Sequence, residues 1–279
     1  MAERINTRTL LQMKQRGEKI TCLTAYDFSM AKLIDEAGVD IILVGDSLGQ
    51  VVLGYETTLP VTMDDMLHHV KAVVRGVNRA MVVADMPFMS FQSGPQQALE
   101  NAARFVKEAG AVTSKVVAGK PLTEALTIAV KLEGPVVEAI ERIVGAGIPV
   151  MGHLGMQPMS AALYGGPRVH GREEAEAERI LREAEAVEKA GVFAIVLEKV
   201  PASLAERITK MVSVPTIGIG AGPHCDGQVL VSYDMLGLYG LRLKHVKEYA
   251  HFFDEAMAAF KAYIEEVKTG KFPGPEHSS

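Results

Sequence analysis

The chain has 279 residues, of which 48% are hydrophobic and 23% are charged, and its formal net charge is −5. This is the composition of a globular protein with enough apolar material for a large core, so no disulfide or metal is needed to hold the fold together. The acidic balance and the dispersed lysines and arginines exclude the basic footprint of a nucleic-acid-binding protein.

The N-terminal segment lacks the uninterrupted apolar run of a signal peptide, and no stretch approaches the roughly 18 apolar residues of a membrane span. The two cysteines, Cys22 and Cys225, are far apart in the sequence and have no metal-ligand spacing. We expect both to be free, buried thiols, which suit a reducing cytosol better than secretion. These features predict a cytoplasmic protein.

Along the chain, a short apolar run is followed by a loop and an amphipathic helix, and this unit is repeated. The runs are hydrophobic throughout rather than alternating, as in strands of a parallel sheet that are buried on both faces. The predicted strands are Ile20–Thr24, Ile41–Val44, Met81–Ala84, Ile128–Leu132, Ile148–Gly152, Phe193–Leu197, Pro215–Ile219 and Gln228–Val231. The predicted helices are Ser29–Ala37, Met63–Val74, Pro95–Ala109, Pro135–Val144 and Arg172–Ala190.

Eight apolar runs that alternate with helices predict a closed (β/α)8 TIM barrel rather than an open doubly wound sheet. We expect residues 1–279 to form a single barrel domain that ends in a short exposed tail from Gly270 to Ser279. The fourth strand has two candidates, because Val112–Val117 is also strand-like. We favour Ile128–Leu132, since it leads directly into a Lys-x-Glu motif.

Polar residues stand at the carboxyl ends of several of these runs, where the active sites of such barrels lie. The residues at these positions are Asp46, Ser47, Asp85, Lys131, Glu133, His153 and Glu198. A lone aspartate after a strand is more often a capping residue than a ligand. Four carboxylates on one rim would repel one another without a cation, and oxygen ligands without thiolates favour Mg²⁺.

The remaining rim residues indicate what such a metal would hold. Lys131 is a fixed positive charge that suits an anionic substrate, and Ser47 offers a hydroxyl and a backbone N–H next to Asp46. His153 is equally consistent with a hydrogen-bond donor to substrate and with a structural core histidine. The residues alone therefore predict a metal-dependent site for a small oxo acid.

The rim residues belong to a longer series of motifs, and so many motifs in one order are specific where each alone is not. With this series the chain resembles the ketopantoate hydroxymethyltransferase family over nearly its whole length. The motifs are TAYD (24–27), LVGDSLG (43–49), TLPVT (58–62), ADMPF (84–88), VKLEG (130–134), GHLG (152–155), YGG (164–166), HGR (170–172), VLEKVP (196–201), GIGAG (218–222), DGQVLV (226–231) and FPGPEH (272–277).

The resemblance implies a barrel of the phosphoenolpyruvate/pyruvate superfamily type that binds Mg²⁺ and assembles into a homo-oligomer, commonly a decamer. It implies transfer of a hydroxymethyl group from 5,10-methylenetetrahydrofolate to 3-methyl-2-oxobutanoate, which gives 2-dehydropantoate in the first committed step of pantothenate biosynthesis. Glu198 is then the expected catalytic base. The expected metal ligands are Asp46, Asp85 and Glu133, the last directly or through water. The expected substrate-binding residues are Asp46, Ser47, Asp85, Lys131 and His153.

Two departures from the family pattern bear on these expectations. Val112–Thr127 is an insertion relative to that pattern, and it stands where it could displace Lys131 and Glu133. Position 159 is Met where the family has Gln, so a polar contact from this side chain is in doubt.

Two other functions stay open on the sequence alone. One is a C–C lyase or mutase of the same barrel superfamily, although such enzymes carry a catalytic cysteine or lysine on a loop and neither cysteine here lies in such a motif. The other is a catalytically inert ligand-binding barrel whose site the insertion has disabled. The retained acids argue against the second.

Overall fold

The computed structural model describes residues 4–109, 128–166, 168–239 and 246–278. Eight parallel strands close into a barrel in which each strand pairs with the next and the last pairs with the first, which confirms the predicted (β/α)8 fold. The strands are β1 (Ile20–Thr24), β2 (Ile41–Val44), β3 (Met81–Asp85), β4 (Ile128–Glu133), β5 (Val150–Gly155), β6 (Ala194–Glu198), β7 (Thr216–Ile219) and β8 (Gly227–Leu230).

The favoured fourth strand is the one in the barrel, since β4 pairs with β3 on one side and with β5 on the other. The alternative run Val112–Val117 and the insertion Val112–Thr127 lie outside the described residues. The fifth strand begins later and extends further than the predicted Ile148–Gly152. Pairing with β4 and β6 extends this strand beyond Gly152. A glycine considered alone indicates the end of a strand.

All five predicted helices are present with shifted ends, and five more helices complete the described part of the chain. The pattern over Pro95–Ala109 is α-helical only to Arg104 and ends as a π-helical turn, Phe105–Ala109. None of the described helices is long and apolar enough to cross a membrane. The helices are α1 (Thr7–Arg16), α2 (Phe28–Glu36), α3 (Leu48–Val51), α4 (Met63–Gly76), α5 (Pro95–Arg104), α6 (Val137–Val144), α7 (Glu174–Lys189), α8 (Ala202–Met211), α9 (Ser232–Met235) and α10 (Phe252–Lys268).

The helix α4 shows how local sequence starts an element. The Thr62 hydroxyl accepts a hydrogen bond from the Asp65 N–H, and the Asp65 carboxylate accepts one from the Thr62 N–H. This capping box satisfies backbone donors that the first turn of a helix leaves without partners. Asp64 and Asp65 also place negative charge at the positive end of the helix dipole.

The barrel interior is filled by side chains from alternate positions of the strands. Leu10 and Met13 of α1 join this cluster, and Cys22 is part of it, so one cysteine is a free, buried thiol inside the barrel. Cys225 is also free and buried, as expected. The strand residues in the cluster are Ile20, Cys22, Ile41, Leu43, Met81, Val83, Ala129, Met151, Ala194, Val196, Ile217 and Val229.

The chain divides into two compact units, Met1–Leu230 and Val231–Ser279. The first unit contains all eight strands of the barrel, and the second contains α9 and α10. Within the second unit, the residues from Gly270 to Ser278 are mostly exposed, and a short 3₁₀ turn forms at Pro275–His277. The assignment of the whole chain to one domain stays a prediction.

Candidate active site

Strand register places the predicted site residues on the inner side of the barrel. Asp85 is opposite Lys131 in the ladder, Glu133 is opposite His153, and Glu198 is opposite the residue two beyond His153. Paired positions in a parallel ladder, and positions two apart in one strand, project to the same face of the sheet. The apolar side chains of the barrel interior follow the same alternation along the strands. The five side chains of Asp85, Lys131, Glu133, His153 and Glu198 therefore form a polar layer next to that cluster, at the carboxyl ends of the strands.

Asp46 and Ser47 join the layer from the turn that follows β2. The Asp46 N–H donates to Asp85 Oδ2 at 3.1 Å, which ties this turn to the end of β3. Glycine at position 45 leaves room for the Ser47 side chain as it is placed here, because a Cβ there would lie 2.7 Å from Ser47 Oγ. Ser47 Oγ is also 2.8 Å from the hydroxyl of Tyr26, a residue for which the sequence had given no role.

A buried ion pair joins Lys131 to the acids of the layer. Its Nζ is 2.9 Å from Asp85 Oδ1, and both side chains are almost completely buried. Burial opposes the charged ammonium, but the carboxylates of Asp85 and Asp46 outweigh it and raise the pKa of Lys131. The two carboxylates therefore favour the charged form of Lys131 inside the barrel. It lies beside Asp85 although the insertion precedes its strand.

Asp46 carries a buried oxygen that has no partner. Among the described residues no group donates a hydrogen bond to its Oδ2, and the nearby hydroxyl of Thr58 has no well-aligned hydrogen bond either. Burial and the neighbouring charge of Asp85 raise the pKa of Asp46, while Lys131 and Thr58 oppose that shift. A buried carboxylate in this condition is stabilised by a cation at its free oxygen.

Glu133 is hydrogen-bonded to the loop after β5. Both of its carboxylate oxygens accept from the Met159 N–H, at 3.1 and 3.2 Å. Burial raises the pKa of Glu133 to about 8, against the opposing effect of Lys131. Residue 159 thus makes its polar contact with Glu133 through its backbone N–H, so this contact does not depend on the identity of its side chain. The side chain itself lies elsewhere, with the Met159 sulfur 3.9 Å from Gln92 Nε2.

His153 links the lysine to the predicted base. Its Nδ1 is 3.2 Å from Lys131 Nζ, and its Nε2 is 3.2 Å from Glu198 Oε2, a close contact that is not well aligned as a hydrogen bond. An ammonium can only donate, so Nδ1 must be the acceptor and the ring proton must be on Nε2. Burial and the Lys131 charge lower the pKa of His153, which favours this neutral form.

The described residues contain no group of three His, Cys, Asp or Glu side chains that could together hold a metal ion. The expected set of Asp46, Asp85 and Glu133 is therefore not found as three direct ligands in this part of the chain. Asp46 and Asp85 still fit Mg²⁺, which proteins usually bind through one or two carboxylates while substrate and water fill the other positions. The partnerless oxygen of Asp46 supports this fit. Ligation by all three stays a prediction.

Three groups of the site were not predicted from the sequence: the Tyr26 hydroxyl, the Thr58 hydroxyl and the Met159 N–H. Tyr26 and Thr58 do lie in two of the motifs that carry the family resemblance, TAYD and TLPVT. Their position in those motifs is the feature of the sequence that could have identified them as site residues. Nothing in the sequence marks a backbone N–H as a partner of a buried acid.

Solved structures with the same fold come from a barrel superfamily. Phosphoenolpyruvate phosphomutase from Streptomyces platensis subsp. rosaceus aligns with a TM-score of 0.60 and 15% identity, covering 95% of this chain and 88% of that chain. Phosphonopyruvate hydrolase in complex with oxalate and Mg²⁺ aligns with a TM-score of 0.59 and 14% identity, covering 98% and 93%. A 2,3-dimethylmalate lyase described as a PEP mutase/isocitrate lyase superfamily member has a TM-score of 0.57 at 15% identity, covering 96% and 89%. At these identities the likeness shows the fold alone.

Sequence relatives are much closer. The 3-methyl-2-oxobutanoate hydroxymethyltransferase of Syntrophus aciditrophicus (strain SB) is 54% identical over 278 residues, which cover 99% of this chain and 96% of that protein. The enzyme of the same name from Moorella thermoacetica is 55% identical, with 99% and 97% covered. The model of the ketopantoate hydroxymethyltransferase family matches residues 4–275. The chain therefore belongs to the ketopantoate hydroxymethyltransferase family.

Proposed function

We propose that this protein transfers a hydroxymethyl group from 5,10-methylenetetrahydrofolate to 3-methyl-2-oxobutanoate and so forms 2-dehydropantoate. Membership of the family supports this activity. The observation that carries it in the structure is the polar layer itself, in which a base candidate, a buried cation and two adjacent carboxylates meet on one rim. The roles of the individual residues in the following paragraphs are part of the proposal.

Asp46 and Asp85 are the proposed direct ligands of Mg²⁺, and Glu133 contributes through water. A structural neighbour, phosphonopyruvate hydrolase, is described with oxalate and Mg²⁺, which gives a precedent for this ion with a small dicarboxylate in the same fold. When bound, Mg²⁺ supplies Lewis-acid polarisation of the ketone of the oxo acid, which makes the hydrogen on C3 more acidic.

Lys131 and Ser47 bind the anionic end of the oxo acid in this proposal. Lys131 is held in place by Asp85 at 2.9 Å, so it presents a fixed positive charge without paying rotamer entropy when substrate arrives. The hydroxyl of Ser47 is aimed by the tight turn at Gly45. Together they orient the substrate so that C3 faces Glu198.

Glu198 takes the C3 proton onto its carboxylate, and His153 controls the orientation of that carboxylate. Because the ring proton of His153 is on Nε2, this N–H faces Glu198 Oε2, and the nitrogen and the oxygen are 3.2 Å apart. His153 itself stays neutral while Lys131 contacts its Nδ1. The base therefore has the imidazole as a polar neighbour before the proton is transferred.

The enolate formed by proton removal bonds through C3 to the one-carbon unit of the folate, and the two bonds from that carbon to folate nitrogens are broken, the nitrogens taking up protons. Overall, one water is consumed, its oxygen becomes the new hydroxyl group, and tetrahydrofolate is released.

A decameric homo-oligomer and a cytoplasmic location, both expected from the sequence, belong to the same proposal. They are supported by the family resemblance and by the two free, buried cysteines respectively.

The test is formation of 2-dehydropantoate by the purified protein from the oxo acid and the folate, with Mg²⁺ and after removal of divalent ions by a chelator. We expect product only with metal, and calorimetric titration should show Mg²⁺ binding that Asp46→Asn abolishes. Replacing the exposed carboxylate Glu206 by Gln is the matched control and should leave both measurements unchanged. Absence of product under all conditions, or cleavage of the oxo acid without folate, would refute the transferase assignment.

A further inference from the structure

The TAYD segment after β1 places a buried phenol beside the proposed substrate site. Tyr26 is only 1% exposed, yet its hydroxyl is not simply packed in the core. It lies 2.8 Å from Ser47 Oγ, and either oxygen can be the donor in that hydrogen bond. Tyr26 is thus connected to the site through a residue that contacts substrate in the proposed function.

The backbone of Tyr26 is fixed from the other side by helix α4. Nδ1 of His69 is 2.6 Å from the Tyr26 carbonyl oxygen, and since a carbonyl can only accept, the imidazole must donate from Nδ1. This bond holds the turn after β1 against α4. The Tyr26 ring is therefore restrained both by burial and by its own peptide group, and its hydroxyl has little freedom to move away from Ser47.

Ser47 lies in the turn after β2, and its hydroxyl is close to the backbone of that turn. Its hydroxyl lies so close to Gly45 that a Cβ at that position would be 2.7 Å away, and the same Cβ would be 3.5 Å from Asp85 Oδ2. The hydroxyl therefore has the Tyr26 phenol as its hydrogen-bond partner, and the Asp85 carboxylate is nearby. The positions of the two oxygens leave open only which hydroxyl donates its proton to the other.

We infer that Tyr26 is a positioning residue that orients the Ser47 hydroxyl toward the carboxylate of a small 2-oxo acid. The inference rests on the proposed function, because it takes Ser47 to bind that carboxylate. A carboxylate can only accept, so Ser47 must donate its single proton to the substrate. The Ser47 oxygen must then accept from Tyr26, which gives one proton order: Tyr26 to Ser47, and Ser47 to substrate. Donation from Tyr26 also makes Ser47 a stronger donor, as in any hydrogen-bond chain.

The test is a double-mutant cycle on Tyr26 and Ser47. Tyr26→Phe removes one oxygen and keeps the buried ring. A neutral hydrogen bond of this kind is worth roughly a two- to tenfold change in affinity. We expect Y26F to raise the KM for the oxo acid by about that factor and to change kcat by less than about twofold. Calorimetric binding of the oxo acid in the presence of Mg²⁺ should weaken by the same factor, independently of turnover.

The cycle distinguishes positioning from a merely structural role. In the Ser47→Ala background, adding Y26F should weaken oxo-acid binding by less than about twofold, because Tyr26 acts only through the missing hydroxyl. Equal effects of Y26F in both backgrounds would overturn the inference, and so would wild-type binding by Y26F. If Y26F fails to fold, S47A still tests the premise, since unchanged oxo-acid binding in S47A also overturns the inference.

A control and a separation from the proposed function complete the design. Tyr263→Phe removes the hydroxyl of an exposed tyrosine on α10 and should bind the oxo acid like the wild type. A wild-type protein that forms no 2-dehydropantoate refutes the proposed function. A wild type that forms product, together with Y26F that binds the oxo acid normally, refutes only the role of Tyr26.

Discussion

Replacement of Glu198 by Gln is the most direct perturbation of the proposed chemistry. Glu198 ends β6, its side chain is 16% exposed, and its Oε2 lies 3.2 Å from His153 Nε2. Glutamine has the same shape, and its amide oxygen can take the place of Oε2 beside the imidazole. It cannot accept a proton from C3 at neutral pH. The substitution therefore removes the base and keeps the packing around it.

The expected loss follows from the contribution of a positioned base. General acid–base groups contribute roughly 10²- to 10⁴-fold to rate. At about 1.4 kcal/mol for each factor of ten, this is about 3 to 5 kcal/mol of the activation barrier. Because no buried partner loses a hydrogen bond, we expect the free energy of unfolding to change by less than about 1 kcal/mol.

The assay follows exchange of the C3 hydrogen of 3-methyl-2-oxobutanoate with solvent deuterium by proton NMR, with Mg²⁺ present and without folate. This isolates proton removal from the later bond-forming steps. Wild-type protein should exchange the hydrogen, and E198Q should exchange it at least about a hundredfold more slowly. Glu206→Gln, which removes an exposed carboxylate on α8, should exchange it at the wild-type rate.

One result would refute the reasoning. If E198Q binds Mg²⁺ and the oxo acid like the wild type and its exchange rate is undiminished, Glu198 is not the base, and the contact with His153 has another purpose. A slow exchange together with lost oxo-acid binding would instead assign Glu198 to substrate binding.

Two further predictions concern stability. Gly155→Ala should lower the free energy of unfolding by more than about 3 kcal/mol, because φ is +93° and the new Cβ would clash with the Glu198 carbonyl oxygen. Gly17→Ala, at φ +71° with no atom within 4 Å, should cost only about 1–2 kcal/mol, and equal losses in urea unfolding would contradict the steric argument. Burial raises the pKa of Glu133 from 4.5 to about 8, so in metal-free protein its stabilising contribution is complete below pH 4.5 and is lost as the pH rises through 8. Glu133→Gln should remove a slope of up to about 1.4 kcal/mol per pH unit in that window, and a wild-type slope in the variant would contradict the assignment.

The barrel was largely predictable from the sequence because its strands are buried on both faces. Such strands must be apolar throughout, so the eight runs stand out without any knowledge of their partners. Helix α8 was not among the predicted helices, although Leu204, Ala205 and Ile208 form a buried stripe at helical spacing. The π-helical end of α5 could not be predicted, because it depends on packing and not on a local residue preference.

The extent of β5 shows where local signals fail. Two glycines around His153 suggest a loop, yet the ladders to β4 and β6 hold the segment as strand up to Gly155. As a result His153 lies inside the strand and projects into the barrel rather than lying in the loop that follows. Backbone hydrogen bonds to neighbouring strands decided this, and they come from residues far away in the sequence.

The site divides in the same way. The sequence by itself determined which residues lie at the rim, because a polar residue at the end of an apolar run can be recognised from the sequence alone. It could not show that Glu133 is bound by the Met159 N–H, or that Lys131 contacts both Asp85 and His153. Those partners are set by barrel closure and by the register between strands. Contacts of a few ångströms across the barrel, and the protonation states that follow from them, therefore emerge only with the tertiary structure.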